Sequence, residues 1–275
     1  YSAAQYEYYP KTDGLTTDWT GVPYQDQAYR SAWSTLRKNF FAYLKADTTI
    51  GNVLDLHASA YYHDMAGRGD WVPQYVVDVI ADGAGNPESE LTGNSTVDGG
   101  SHYRKDRKGG TLDAAWNADL GGLENTLRGG IWYEDTNREE WRNWHNVIDT
   151  TVGPEYASLP YWTQYSRKYP QDTFKWFVQD TVKAGPVTAH VGAKQFINHI
   201  ERVDLFGETD NVRIKSKSDI LLSGGIQVEP MYGLNLFAGY AENFKSLTDS
   251  VLEYNNADFT SIDPETAENW EAGIR

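Results

Sequence analysis

A hydrophobic period of two, sustained over unusually long segments, constrains this chain more than any other feature. In Leu54, Leu56, Ala58, Ala60 and Tyr62 every second residue is apolar, while Asp55, His57, Ser59, Tyr61 and His63 between them are polar or amphipathic. Leu112, Ala114, Trp116, Ala118 and Leu120 alternate with Thr111, Asp113, Asn117 and Asp119. Leu123, Leu127, Ile131 and Tyr133 oppose Glu124, Thr126, Arg128 and Glu134. Phe174, Trp176, Val178 and Val182 oppose Lys175, Gln179 and Thr181, and Leu234, Leu236, Ala238 and Tyr240 continue the series. Successive side chains on a strand point to opposite faces, so each segment reads as a two-faced strand. Asp180 interrupts one apolar face without changing the pattern.

Eight strands follow, at roughly 30–46, 52–64, 103–119, 123–136, 172–183, 187–201, 217–228 and 234–243. A ninth begins near Glu268, and residues 1–9 read as the end of another. Short joints rich in Gly and Pro link pairs of strands at Asp47–Asn52, Asp119–Glu124, Lys183–Val187 and Glu229–Leu234. The other connections are long, about Met65–Gly100, Asn137–Pro170, Asp204–Lys217 and Asn243–Pro264, and such loops are uncommon in compact soluble domains. Strict short–long alternation is the habit of outer-membrane barrels, with short periplasmic turns and long extracellular loops. The strands also exceed the five or six residues of an average globular strand. Trp116, Tyr133, Trp176 and Tyr240 sit at strand ends on the apolar face, as interfacial girdles do. The expected fold is therefore all-β: an antiparallel up-and-down transmembrane β-barrel, present as an incomplete segment of about 8–10 strands. Its sheet should be strongly curved, with a polar concave and an apolar convex face.

Composition narrows the function. No apolar run approaches the roughly 18 residues of a membrane-spanning helix, which leaves a β-barrel open. With no Cys there is no disulfide scaffold, Cys-based zinc site or thiol nucleophile. A formal charge of −15 argues against nucleic acid as a partner, since phosphate backbones are bound by a basic excess. No G-x-S-x-G, H-E-x-x-H, P-loop or G-x-G-x-x-G motif occurs, so no enzyme activity, cofactor or metal site is expected. The six His are dispersed. Asp82–Glu90 gathers oxygen ligands without EF-hand spacing and reads as an acidic turn.

Near the end the sequence resembles a known family. Residues 234–247 read LNLFAGYAENFKSL and residues 262–275 read IDPETAENWEAGIR. This pairing resembles the TonB-dependent receptors, in which a strand with an aromatic, Ser-containing end leads through a loop into a P-E-(T/S)-x-x-x-(Y/W)-E-x-G-x-(R/K)-like strand entry. The matching residues are Pro264, Glu265, Thr266, Trp270, Glu271, Gly273 and Arg275. Phe177–Asp180 is similar to the family's F-x-Q-D strand, with Val187–Asn198 as its hairpin partner. Tyr29–Gly69 is similar to an early hairpin of members that import iron chelates, including ferric-citrate-type receptors. The family pattern also has an N-terminal plug domain, a TonB box and a barrel of about 22 strands. Neither plug nor box is legible, Tyr1 opens no signal peptide, and Arg275 falls within the alternation Trp270, Ala272, Ile274. Residues 1–275 are thus expected to be a partial barrel domain from the middle of a larger receptor.

The resemblance implies TonB-coupled uptake of an extracellular ligand across a Gram-negative outer membrane, most naturally an iron chelate such as a siderophore or ferric citrate. TonB itself would act through the plug region. Candidate ligand contacts are a lumenal His63 with Arg68 and Trp71 of the Gly67–Pro73 run just beyond it, the parity set Tyr103, Lys105 and Arg107, and the aromatic–basic cluster Trp141, Arg142 and Trp144. Arg37, His57, Arg128 and Lys175 are expected to line the lumen. If Asp113 and Asn117 face inward, parity turns Arg104 and Lys108 outward, towards lipid and lipopolysaccharide phosphates. Two other readings stand beside this one. A passive porin or adhesin barrel would lack a plug, and a soluble β-sandwich carbohydrate-binding domain would express without detergent.

Overall fold

The computed structural model describes residues 2–6, 34–71, 78–81, 87–90, 97–146, 160, 162–253, 259 and 262–275. The strands among them are β1 (Ser2–Tyr6), β2 (Ser34–Ile50), β3 (Leu54–Trp71), β4 (Asp78–Ala81), β5 (Pro87–Glu90), β6 (Val97–Asp119) and β7 (Leu123–Asn146). They continue as β8 (Trp162–Ala184), β9 (Val187–Asp204), β10 (Val212–Lys217), β11 (Leu221–Met231), β12 (Leu234–Lys245) and β13 (Glu265–Ile274). Eleven form one sheet in the order β1-β2-β3-β6-β7-β8-β9-β11-β12-β13, with β10 also on β9; β4 and β5 pair separately. The pairings are antiparallel and follow chain order, which is an up-and-down meander whose ends are β1 and β13.

The turns form at the short joints expected from their Gly and Pro. Gly51 and Asn52 both take positive φ, 60° and 58°, a conformation open to Gly and tolerated by Asn. At the β8–β9 turn Gly185 supplies the positive φ and Pro186, with its fixed negative φ, follows.

Register converts the alternation into two faces. Leu54, Trp116 and Leu127 occupy one cross-strand row, as do Ala58, Leu112, Ile131 and Trp176. On the opposite face His57 pairs with Asp113, Ser59 with Thr111, and Arg128 with Gln179. Leu54 to Tyr62 on β3 gives roughly 26 Å of apolar strand, close to the apolar band of an outer-membrane barrel. No described residue covers this band: Leu44 is 73% and Val191 64% exposed. Asp180 lies on the apolar face, where its carboxylate accepts a hydrogen bond from Asn125 Nδ2 at 2.7 Å.

Among the described residues only Ala115, Tyr169, Ile200, Leu221 and Leu252 are buried hydrophobics. Two packed sheets would bury their inner faces against each other, so the soluble sandwich reading fails. Tyr169, Ile200 and Leu252 form a small cluster flanked by Val212, Ile214, Leu247 and Phe259. It lies where the connection after β12, with its short 3-10 helix Asp249–Glu253, folds against the polar face.

The strands outrun the expectation. β6, β7 and β8 span 23, 24 and 23 residues, so residues 66–71, 97–102, 137–146 and 162–170, read above as loop, are paired strand. The segment through Arg68 and Asp70 belongs to β3, and β10 occupies part of the expected Asp204–Lys217 loop. The cause is physical: past Tyr62 and Tyr133 both faces carry polar residues, as in the row Arg104–Glu139–Lys168. Backbone pairing continues there after the hydrophobic alternation has gone. Of the acidic run Asp82–Glu90, residues 87–90 are in β5 and the rest lie outside the described residues.

Candidate functional site

Functional side chains gather on the polar face, on the half of the strands away from the short turns. The first group centres on Glu134 of β7, which is 6% exposed. Arg107 Nη2 donates to Glu134 Oε2 at 2.9 Å and to Oε1 at 3.1 Å. Tyr61 Oη donates to Oε2 at 2.5 Å, Thr136 Oγ1 donates to Oε1 at 3.2 Å, and Trp132 Nε1 donates to Tyr61 Oη at 2.9 Å. A carboxylate this buried is tolerable only with its charge paired and its oxygens hydrogen-bonded. Gly109, opposite Tyr61 and Glu134, provides the necessary room: a Cβ there would sit 2.6 Å from Tyr61 Oη.

The second group is a latch. Arg138 Nε donates to Asp249 Oδ2 at 2.8 Å and its Nη2 to Glu253 Oε1 at 2.7 Å, while Nη1 reaches Glu140. Its guanidinium carbon lies 4.2 Å from the Tyr169 ring centre. Arg202 Nη1 donates to the Leu252 carbonyl at 2.9 Å, Arg167 Nη1 to the Glu253 carbonyl at 3.2 Å, and Asn198 Nδ2 to Ser246 Oγ at 2.7 Å. Burial by itself lowers the Arg138 pKa, but Asp249, Glu140 and Glu253 more than offset this and raise it above its ordinary value. Burial pushes the Tyr169 hydroxyl up.

Nearer the short turns than either group, in the rows of Trp132 and Gly130, lies a cationic, aromatic stretch. Lys175 Nζ is 5.0 Å from the Phe196 ring centre and 5.9 Å from that of Phe177. Phe196 stacks on Phe244 at 5.9 Å, and register sets Trp132 beside Lys175 and Phe177 beside Lys194. Neither lysine has a carboxylate within ion-pair distance among the described residues.

The candidates of the sequence fall as follows. Tyr103, Lys105, Arg107 and His63 share the polar face with Arg37, His57, Arg128 and Lys175. His63 contacts the Phe41 ring edge-on at 5.8 Å, and His57 Nδ1 lies 2.7 Å from Asp47. Arg128 Nε donates to Asp113 at 2.9 Å. Arg142 lies over the Tyr165 ring at 5.2 Å on the same face, whereas Trp141 holds the opposite parity, as does Arg68. Trp71 pairs with Gly99 and Trp144 with Trp162 at the strand ends. Arg104 and Lys108 share the other face, as parity required, but they face acids: Arg104 is 3.7 Å from Asp64 and Lys108 3.2 Å from Asp135.

The motif residues are seated in the β12–β13 hairpin. Thr266 pairs with Phe244 and Glu271 with Gly239, and Lys245 Nζ meets Glu265 at 3.2 Å. Trp270 packs on Tyr240 with centroids 4.5 Å apart, and Gly273 leaves space for the Phe237 ring. Arg275 exchanges two backbone hydrogen bonds with Asn235, while Pro264 just precedes the strand. Sequence reading missed Glu134, Arg138, Glu140, Arg167, Arg202 and Asn198; the parity of β6, carried across the sheet, would have found the first three. Among the described residues no three His, Asp or Glu converge to hold a metal.

A long antiparallel meander, apolar on one face for a bilayer's depth and polar on the other, is the wall of a transmembrane β-barrel. The family model "TonB dependent receptor-like, beta-barrel" matches residues 1–275, and the chain belongs to that family of non-enzymatic receptors of the Gram-negative outer membrane. Its fold is similar to the ferric citrate transporter FecA in the unliganded form, with TM-score 0.67 and 13% identity over 89% of this chain and 33% of that one. It is also similar to the siderophore receptor PiuA from Acinetobacter baumannii, with TM-score 0.63 and 13% identity over 90% of this chain and 38% of that one. The ferric-catecholate import receptor Fiu from K12 E. coli follows, with TM-score 0.59 and 11% identity over 88% of this chain and 38% of that one. The chain therefore spans between 33% and 38% of the length of these structures. No curated protein sequence matches it.

Proposed function

We propose that the chain is the middle portion of the barrel of a longer receptor that takes up an anionic iron chelate by TonB coupling. In this reading the polar face lines the lumen, the apolar face meets lipid, and TonB acts through a plug encoded outside these residues. The observation that carries the choice of ligand is the Lys175–Lys194 stretch. Two lysines with no carboxylate partner among the described residues, set among Trp132, Phe177, Phe196 and Phe244, lie on a chain of net charge −15. Uncompensated cations beside aromatic faces suit a ligand that is negative overall and planar in part. His63, Lys105, Arg107, Arg142 and Arg37 would extend this contact surface towards the long loops, and His57 and Arg128 would line the path beyond it. Nothing in this mechanism makes or breaks a covalent bond: the ligand is bound, then passed.

The test is radiolabelled uptake by cells carrying the full-length receptor as their only route for ferric citrate or a ferric siderophore. Uptake should need both TonB and the proton-motive force, and Lys175→Ala with Lys194→Ala should weaken binding of the anionic chelate by about tenfold or more. Uptake that persists undiminished without TonB would identify a passive channel instead.

A further inference from the structure

Guanidinium forks are the natural partners of carboxylates, because their paired N–H groups match both oxygens. On the polar face the forks in the rows around the Lys175–Lys194 stretch are engaged by the protein's own acids. Arg107 is held by Glu134, Arg128 Nη2 lies 2.7 Å from Asp113 Oδ1, and Arg138 is held by Asp249, Glu253 and Glu140. The charge left over sits on ammonium groups among aromatic rings, with Lys175 Nζ beside Phe196 and Phe177 and with Phe196 stacked on Phe244. A ligand held here gains more from flat rings than from carboxylate oxygens.

Trp132 is the cross-strand neighbour of Lys175 and shares its face. Side chains directly opposed in this way start about 5 Å apart, so the indole borders the space beside the ammonium group. Its direction is set from two strands away. Tyr61 of β3 reaches over β6 at Gly109, whose missing side chain leaves room for the phenol. Glu134, a carboxylate paired with Arg107, can only accept, so Tyr61 commits its one proton to Oε2 at 2.5 Å. A lone pair of the tyrosine oxygen is then left for Trp132 Nε1, which donates to it at 2.9 Å. Every donor in the set Trp132, Tyr61 and Arg107 points towards the one carboxylate. A polar network satisfied throughout holds its members rigid.

We infer that Glu134, acting through Tyr61, is a positioning residue that fixes the Trp132 indole beside Lys175, and that the fixed indole gives this wall a preference for chelates whose iron-binding groups are carried on aromatic rings. Trp132 meets the ligand; Tyr61 and Glu134 act through it. This role rests on the reading of the lysine stretch as the chelate site and names what that site selects.

The experiment uses the full-length receptor in detergent and two anionic probes labelled with radioactive iron, a ferric tris-catecholate and ferric citrate, each measured by equilibrium dialysis. The unaltered receptor should prefer the tris-catecholate. A well-set aromatic stack contributes about a fivefold factor, so Tyr61→Phe and Glu134→Gln should each weaken tris-catecholate binding by about that much and leave ferric citrate within about twofold. Glu134→Gln keeps the shape of the side chain but adds N–H groups that compete for the tyrosine lone pair. In a Trp132→Ala background neither substitution should weaken binding further, because nothing is left to position. The Trp132 indole N–H, assigned with Trp132→Phe in spectra of isotope-labelled tryptophan, should exchange with solvent faster in both variants, with or without ligand. Equal losses for the two chelates, further loss in the Trp132→Ala background, or unchanged indole exchange would each reduce Glu134 to a structural role and overturn the inference. An unaltered receptor that binds neither chelate, with indole exchange still responding, would defeat the transport reading and the preference with it but uphold the positioning of Trp132.

Discussion

Shortening Leu252 to alanine should release the β12–β13 connection from the sheet while leaving the sheet itself in place. Leu252 is fully buried, packed in the cluster with Tyr169 and Ile200, and its carbonyl is held by Arg202. Leu→Ala removes three carbons, about 2.4 kcal/mol at roughly 0.8 kcal/mol each. An unrelaxed cavity takes the cost towards about 5 kcal/mol. The strands below keep their ladders, so the loss falls on the docking of residues 246–253, whose population of open states should rise about 50-fold to several-thousand-fold. Amide hydrogen exchange of the full-length receptor in detergent is the assay. The Leu247 N–H, which donates to Ser216 Oγ at 3.3 Å, and the Val251 N–H, which donates to the Thr248 carbonyl at 3.1 Å, should exchange faster by that factor. Amides of Lys175 and Phe177 in the middle of β8 should not change. Exchange at Leu247 and Val251 within about threefold of the unaltered protein would show that polar contacts alone hold the connection and that the cluster does not.

Arg138→Gln leaves Glu140, Asp249 and Glu253 facing one another and should loosen the same segment by about 3–5 kcal/mol, read by the same exchange and by faster protease cleavage within residues 246–253. Gly109→Ala drives a methyl into Tyr61 and the Tyr133 carbonyl, which should destabilise the barrel by about 1–3 kcal/mol in urea unfolding from detergent; an unchanged midpoint would refute the close approach. Burial raises the Asp204 pKa, but hydrogen bonds from the Phe206 N–H and from the Thr209 hydroxyl and N–H outweigh it and hold the group below its ordinary value. A depressed carboxylate stabilises its surroundings above the ordinary pKa and ceases to do so as the pH falls through the lowered one. Protection of the Phe206 and Thr209 amides should thus be stronger than in Asp204→Asn at pH 7, and the difference should vanish in acid; a difference that persists there would refute it.

Much of the wall was legible because its physics is local. Strands with a lipid-facing side must alternate, and the short turns need residues that accept positive φ, as Gly51, Asn52 and Gly185 do. The aromatic positions Trp116, Tyr133, Trp176 and Tyr240 all fell on the apolar face, and the inward parity of Tyr103, Lys105 and Arg107 followed from Asp113 by counting in twos. Counting failed where its premise did. Above the band both faces meet water, so nothing in the residue types distinguishes strand from loop, and β3, β6, β7 and β8 ran further than their hydrophobicity suggested.

The sequence by itself thus determined the class of sheet, the turn positions, the two faces and the family, since each depends on periodicity or on residues adjacent in the chain. Only the tertiary structure decided which charges are matched. Glu134 with Arg107 and Tyr61 joins three strands, and Arg138 with Asp249 and Glu253 closes more than a hundred residues of chain. It also decided which way the β10 lysines point, because one extra residue at Ser218–Ile220 reverses a parity that the sequence alone would carry straight through. Register is a relation between strands, set by hydrogen bonds to a neighbour, and no single strand's residues contain it.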